Sequence, residues 1–206
     1  LKIGSEDRAA MSATSYPHPG RRIAVVGVTG SGKSTLAARL AEILGLTHIE
    51  LDALRFGPNW SEPPDEVFRE RVAKALQAPG WVTDGNYSRV RDLIWKQAET
   101  VVWLDYPFLI CFLRLVRRSF RRVVLRQKLW SGNQETLRGV LFEKDALFPW
   151  LFKTYPRRRR EYPVLLAQPE YAHLRLIRLR TPQQANAWLS SLGSLRVGFD
   201  SQGVPD

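Results

Sequence analysis

Gly27-Val28-Thr29-Gly30-Ser31-Gly32-Lys33-Ser34 is the stretch whose reading decides the fold of this 206-residue chain. It matches G-x-x-x-x-G-K-[ST], a loop whose backbone N–H groups turn inward around phosphate. Three glycines give the chain the freedom to curl that tightly. On one side stands Arg21–Gly27 (RRIAVVG), a β-branched run that reads as a buried strand. On the other, Lys33–Leu44 carries apolar residues at 36, 37, 40, 41, 43 and 44, a helical spacing that stops at Gly45. The motif therefore stands between a strand and a helix, whose N-terminus adds the positive end of its dipole.

Working outward, strands and helices alternate. Leu46–Leu51 reads as a strand, Pro58–Pro64 as a turn-rich loop, and Asp65–Ala78 as an amphipathic helix closed by Pro-Gly. Trp81–Thr83 is a short strand leading into Asp84-Gly85-Asn86, and Ser88–Ala98 is helical. Val101–Leu104 reads as a buried strand and Phe108–Lys128 as a helix, apolar first and basic afterwards. Trp130–Asn133 breaks the pattern. Glu143–Ala167 is mostly helical, with interruptions expected at Pro149, Pro156 and Pro163. His173–Leu179 is a last strand, and Thr181-Pro182 opens a final helix to about Leu192. This alternation implies an α/β protein, an open parallel sheet with helices on both faces, and a ligand crevice at the carboxyl ends of the strands. Residues 1–20 read as a disordered tail, 21–192 as one domain and 193–206 as a loose C-terminal tail. Met11, the only methionine, is the expected natural start.

Hydrophobic residues make up 44% of the chain, enough for one core and against a wholly disordered chain. A lone cysteine, Cys111, excludes an intramolecular disulfide and suggests a reducing compartment. No apolar run approaches the length of a membrane span, and the first 25 residues hold no apolar signal region, so the expectation is a cytoplasmic protein without a membrane partner. Monomer and homodimer are both left open. Residues 107–160 hold 14 basic and three acidic side chains, a net charge of +11 that equals the net charge of the whole chain. A phosphate-rich partner is implied.

No Asn-Lys pair occurs, so the guanine-reading N-K-x-D motif is absent. Leu129–Gln134 (LWSGNQ) superficially resembles the L-S-G-G-Q signature of transporter ATPases, but no hydrophobic strand ending Asp-Glu follows it. A P-loop near the start and a late Arg-rich segment fit a small-molecule kinase. Asp84-Gly85-Asn86-Tyr87-Ser88-Arg89 resembles the D-G-F-P-R segment of adenylate kinases, and Leu51–Arg55 (LDALR) resembles their G-D-M-L-R. Leu51–Leu54, Pro58–Trp60 and Asp84–Tyr87 together are similar to the adenylate-kinase-related family named DNA topology modulation proteins, over roughly residues 21–190. That resemblance implies a three-layer α/β/α P-loop NTPase fold, nucleoside-monophosphate-kinase-like, with five parallel strands ordered 2-3-1-4-5. It also implies Mg-ATP-dependent phosphoryl transfer to a small acceptor, an acceptor flap at 53–80 and a lid at 117–145. Asn86-Tyr87 stands where adenylate kinases have Phe-Pro, and the lid stretch has no zinc-binding cysteine set.

The candidate residues follow. Gly27, Thr29, Gly30, Ser31, Gly32, Lys33, Ser34 and Thr35 form the ATP-binding set, with Lys33 reaching the β- and γ-phosphates. Ser34 and Asp84 are the candidate Mg²⁺ ligands, hard oxygen donors beside the loop. Asp52 reads either as the base that takes an acceptor hydroxyl proton or as a helix cap. Arg55 reads as an acceptor-phosphate ligand, the resemblance assigns Arg89 to the same role, and Asp52, Trp60, Asp84, Asn86 and Tyr87 complete the acceptor set. Hydroxyl and phosphate acceptors both remain open, because Asp52 and Arg55 point to different chemistries. Arg114, Arg118, Arg121 and Arg122 share a helical face, and Arg118 and Arg122 are the catalytic candidates that neutralise the transferring group. Arg157–Arg160 form a second cluster. His18, His48, His173 and Cys111 show no ligand spacing and read as structural. An ATP-binding, nucleic-acid-associated protein is the alternative, although reader motifs are missing.

Overall fold

A computed structural model describes residues 18–125, 129–133 and 147–200, and the side chains of all these except 194–200. Five strands, β1 (Arg22–Gly27), β2 (Thr47–Glu50), β3 (Trp81–Asp84), β4 (Thr100–Leu104) and β5 (Arg175–Leu179), form one sheet in the order 2-3-1-4-5. Every pairing is parallel, with Val25 opposite Asp84 and Glu50 opposite Asp84 on the next strand. Central β1, β3 and β4 are buried along almost their whole length, as expected of strands covered on both faces.

The helices are α1 (Lys33–Leu44), α2 (Leu51–Arg55), α3 (Asp65–Ala75), α4 (Arg91–Trp95), α5 (Phe108–Val124), α6 (Leu147–Leu166) and α7 (Pro182–Asp200). On one face Ile23, Val25 and Val102 pack with Leu36 and Leu40 of α1, Leu115 of α5 and Trp188 of α7. On the other, Ala24, Val26 and Val101 pack with Phe68 and Val72 of α3 and with Ile94 and Trp95 of α4. The result is the three-layer α/β/α arrangement. Among the described residues no helix is long and apolar enough to cross a membrane.

Several boundaries differ from the sequence reading. Leu51 opens α2 rather than ending β2, which places Asp52 in a first helical turn. Residues 88–98 divide into a 3₁₀ turn, Ser88–Val90, and α4. α6 runs unbroken through Pro156 and Pro163. Its buried residues Leu151, Thr154, Arg158 and Tyr162 recur at helical spacing, and that anchoring offsets the two lost backbone bonds. Pro149 sits in the first turn, where no N–H bond is needed. α7 continues to Asp200, into the stretch assigned to the C-terminal tail. Residues 18–20 of the assigned N-terminal tail are tied down. The Thr100 hydroxyl donates to Pro19 O at 2.6 Å, and Arg21 N–H donates to Glu99. Of the expected lid at 117–145, residues 126–128 and 134–145 lie outside the described residues.

Candidate functional site

β1 ends at Gly27, and the chain turns through Gly30 (φ 75°) and Gly32 (φ 92°), both in the left-handed region, before α1 begins. The loop is packed from behind. A Cβ at Gly30 would collide with the backbone carbonyl of Cys111 on α5, so only glycine fits there. Lys33 Nζ donates to Val28 O at 3.1 Å, folding back over the loop. Burial pushes the Lys33 ammonium below its ordinary value, while Asp84 and Asp52 pull it upward. Among the described residues the buried Ser31 hydroxyl has no hydrogen-bond partner, an orphaned donor inside the glycine-rich loop.

A cavity of about 380 Å³ opens beside this loop, lined by Lys33, Ser34, Thr35, Arg114, Arg118 and Arg122 among others. The three arginines recur every four residues on α5, so one helical face delivers them. Arg121, expected on the same face, does not line the cavity. Arg114 donates to Ser31 O at 3.1 Å and lies over the Tyr106 ring. Thr29 and Gly30 sit at the turn itself.

Asp84 and Asp52 stand at the carboxyl ends of β3 and β2. Asp84 is 6% exposed, and His48 Nε2 meets its Oδ1 at 3.2 Å. That hydrogen bond lifts the His48 pKa above its ordinary value. His48 is therefore part of the site, which the sequence reading missed. The parallel register carries the signal: His48 and Glu50 share one face of β2, and Glu50 lies opposite Asp84. Tyr87 donates to Asp52 Oδ1 at 2.7 Å. Burial raises the Asp52 pKa, opposed by the Tyr87 bond and the Lys33 charge and reinforced by Asp84 and Glu50.

The acceptor-side candidates part company. Asn86 grips the loop. Its Oδ1 accepts from Gly27 N–H at 3.3 Å and its Nδ2 donates to Gly27 O. Tyr162 and Arg158 of α6 hold Asn86 in turn, at 2.8 and 2.9 Å. Arg55 is 5% exposed, paired with Glu62 and Asp65 and lying over the Phe68 ring. Arg89 pairs with the same Asp65. Both arginines expected to hold acceptor phosphate are thus engaged by carboxylates, because the E-P-P-D turn at 62–65 brings Glu62 and Asp65 against them. Trp60 lies in an aromatic cluster with Phe56 and Trp130, ring centroids 5.4–6.5 Å apart. In the second arginine cluster Arg157 pairs with Glu161, Arg158 with Asn86 O and Glu161, and Arg159 with Asp105.

Ser34 and Asp84 offer hard oxygens, as Mg²⁺ requires. Among the described residues no group of three or more His, Cys, Asp or Glu could cage a metal.

Fold and site define a P-loop phosphate-binding protein of the three-layer α/β/α type. The relatives are kinases. The chain is 34% identical over 100 residues to a shikimate kinase of Corynebacterium glutamicum, covering 41% of this chain and 58% of the relative, so it spans less than two-thirds of that protein's length. It is 27% identical over 157 residues to an adenylate kinase of Thermosynechococcus vestitus, covering 61% of this chain and 80% of the relative. A shikimate kinase structure from Aquifex aeolicus aligns over 88% of this chain and 99% of its own, at 14% identity and a TM-score of 0.48. No protein-family model matches the chain.

Proposed function

We propose that this protein transfers the γ-phosphoryl group of Mg-ATP to a hydroxyl group of a small acceptor. One observation carries the choice of hydroxyl over phosphate. Asp52 stands partly buried beside Lys33 with its pKa raised, while Arg55 and Arg89 are engaged by flap carboxylates. A carboxylate with a raised pKa is a better base, and a hydroxyl needs one where a phosphate does not.

In this reading the loop N–H groups, the Ser31 hydroxyl and Lys33 hold the β- and γ-phosphates. Ser34 and Asp84 hold Mg²⁺, which when bound neutralises phosphate charge. Asp52 takes the proton of the acceptor hydroxyl as its oxygen bonds to the γ-phosphorus. The bond from that phosphorus to the bridging oxygen breaks, and ADP leaves. Arg114, Arg118 and Arg122 meet the charge on the phosphoryl oxygens. The finer resemblance to DNA topology modulation proteins rests on the LDAL, PNW and DGNY segments. The nucleic-acid alternative finds no support in the relatives, which are small-molecule kinases by name.

The test is ATP consumption across nucleotides, nucleosides, sugars and small alcohols, in wild type and Asp52→Asn. Turnover with a hydroxyl compound that collapses in Asp52→Asn supports the proposal. Turnover confined to nucleoside monophosphates and indifferent to Asp52→Asn overturns it.

A further inference from the structure

The Trp130–Asn133 segment, which broke the helical pattern in the sequence, is built into the flap. Asn133 Oδ1 accepts from Trp60 N–H at 3.1 Å, and its Nδ2 donates to Gly57 O at 2.9 Å. Those two bonds fix the orientation of the amide, since only one end of it can donate. Ser131 Oγ donates to Phe56 O at 3.1 Å, and Trp130 Nε1 donates to Glu50 Oε2 at 2.5 Å. Phe56, Trp60 and Trp130 thereby form an aromatic wall at the end of α2, the helix that carries Asp52. Trp60 remains 37% exposed, so part of the wall is open to a ligand.

Acidic groups outnumber basic ones beside this wall, where Lys33 and His48 are the cations that face them. Glu50 and Asp84 both act electrostatically on Asp52, so three carboxylates gather there. Nearby cations are engaged as well: Lys33 Nζ donates to Val28 O, and His48 meets Asp84. Arg55 and Arg89 are paired with flap carboxylates, Arg69 with Asp92, and Arg71 donates to Leu54 O. Arg114, Arg118 and Arg122 of α5 line the cavity beside the glycine-rich loop. Among the described residues, the cations that face these carboxylates are thus already engaged, which leaves an anionic acceptor group no ready partner at the wall. The wall and the carboxylates offer a neutral or cationic group ring faces and negative charge, both of which attract ammonium groups.

Resting on the phosphoryl-transfer reading above, we propose that the acceptor is a small hydroxyl compound without an anionic group, neutral or amino-bearing, selected by the Phe56–Trp60–Trp130 wall and the Glu50 carboxylate. Glu50 and Trp130 are then specificity-determining. Glu50 supplies the charge, and the Trp130 N–H fixes where that charge sits.

The experiment uses matched probes, each with one carbon skeleton in three charge states: glucose, gluconate and glucosamine; glycerol, glycerate and 2-aminopropane-1,3-diol. ATP consumption above the acceptor-free background is measured for wild type, Lys33→Ala, Glu50→Gln and Trp130→Phe, the last two checked by thermal unfolding. Neutral and amino members are expected to turn over in a Lys33-dependent way, ahead of the carboxylates. Glu50→Gln should cut the amino-over-carboxylate preference by about fivefold, the weight of one partly screened charge contact. Trp130→Phe keeps an aromatic ring in the wall while removing the N–H together with the second ring of the indole, so it reduces the same preference if Glu50→Gln does not fold. Carboxylates turning over best, a preference unmoved in the folded variants, or no Lys33-dependent turnover of any neutral or amino member overturns the inference. Failure of the chain to bind Mg-ATP at all would instead sink the phosphoryl-transfer reading.

Discussion

The Tyr87 hydroxyl donates to Asp52 Oδ1 across 2.7 Å, from the loop after β3 to the first turn of α2. The bond orients the carboxylate and stabilises its charged form, against burial that favours the protonated one. A base must be deprotonated to act, so activity should fall as pH drops through the raised Asp52 pKa. That acid limb should lie above the ordinary carboxylate value of about 4. Tyr87→Phe removes a bond that favours the charged form, so it should move the limb higher still. The pH profile of kcat/KM for both proteins checks this. Asp52→Asn should lower kcat by about 10²–10⁴-fold on a hydroxyl acceptor.

Asn86 acts on nucleotide through Gly27. Asn86→Ala leaves the Gly27 N–H and carbonyl without their side-chain partner, at a cost of about 1–3 kcal/mol. Nucleotide affinity should fall as well, although Asn86 itself holds only the backbone of the loop. Denaturant unfolding and titration with a non-hydrolysable ATP analogue read the two effects separately. Wild-type affinity in a folded variant would mean that the loop holds its shape without this clamp.

Arg55 and Arg89 should behave as structural residues. Arg55→Ala strands Glu62 and part of the Asp65 carboxylate, and should cost about 1–3 kcal/mol, limited by the exposure of both acids. Arg89 has a side chain 55% exposed, and Arg89→Ala should cost about 1 kcal/mol or less. Neither should change acceptor KM beyond what loss of folded protein explains. A large KM increase with stability intact would restore the acceptor-phosphate role.

Arg118 and Arg122 line the phosphate-side cavity with Lys33. Mg-ATP should raise the unfolding temperature of the wild type by mass action, and the Arg118→Ala/Arg122→Ala protein should lose most of that gain. Equal stabilisation of both would show that these arginines do not contact the nucleotide.

The phosphate loop was legible in the sequence because its geometry leaves few residue choices. The collision awaiting any side chain at Gly30 is the physical form of that restriction. Strand alternation followed from apolar runs, and the strand order came with the resemblance. The partners of long polar side chains were not legible. Arg55 and Arg89 hold motif positions that read as phosphate ligands. Only the folded turn at 62–65 reveals that Glu62 and Asp65 reach them first. Asn86 reads as a substrate contact from its motif, and the bonds of its amide to the Gly27 peptide, 59 residues away, were not legible. His48 was passed over because its partner Asp84 is 36 residues away and becomes a neighbour only through strand pairing. The prolines of α6 argued for breaks because local preference cannot weigh the burial that overrides it.

α6 has a consequence for how the molecule comes apart. Its first half buries Leu151 in the core beside α1 and α7, and its second half buries Tyr162 in the core beside α3 and α4. Between them, Tyr155 and Arg158 bond to the backbone of Tyr106 and Asn86. A single rod is thus shared by both layers. Loosening either layer strips the rod from the other, so the two cannot melt in separate steps. The amides of α6 around Arg158 should exchange with solvent only when the entire domain opens, and the domain unfolds as one cooperative unit.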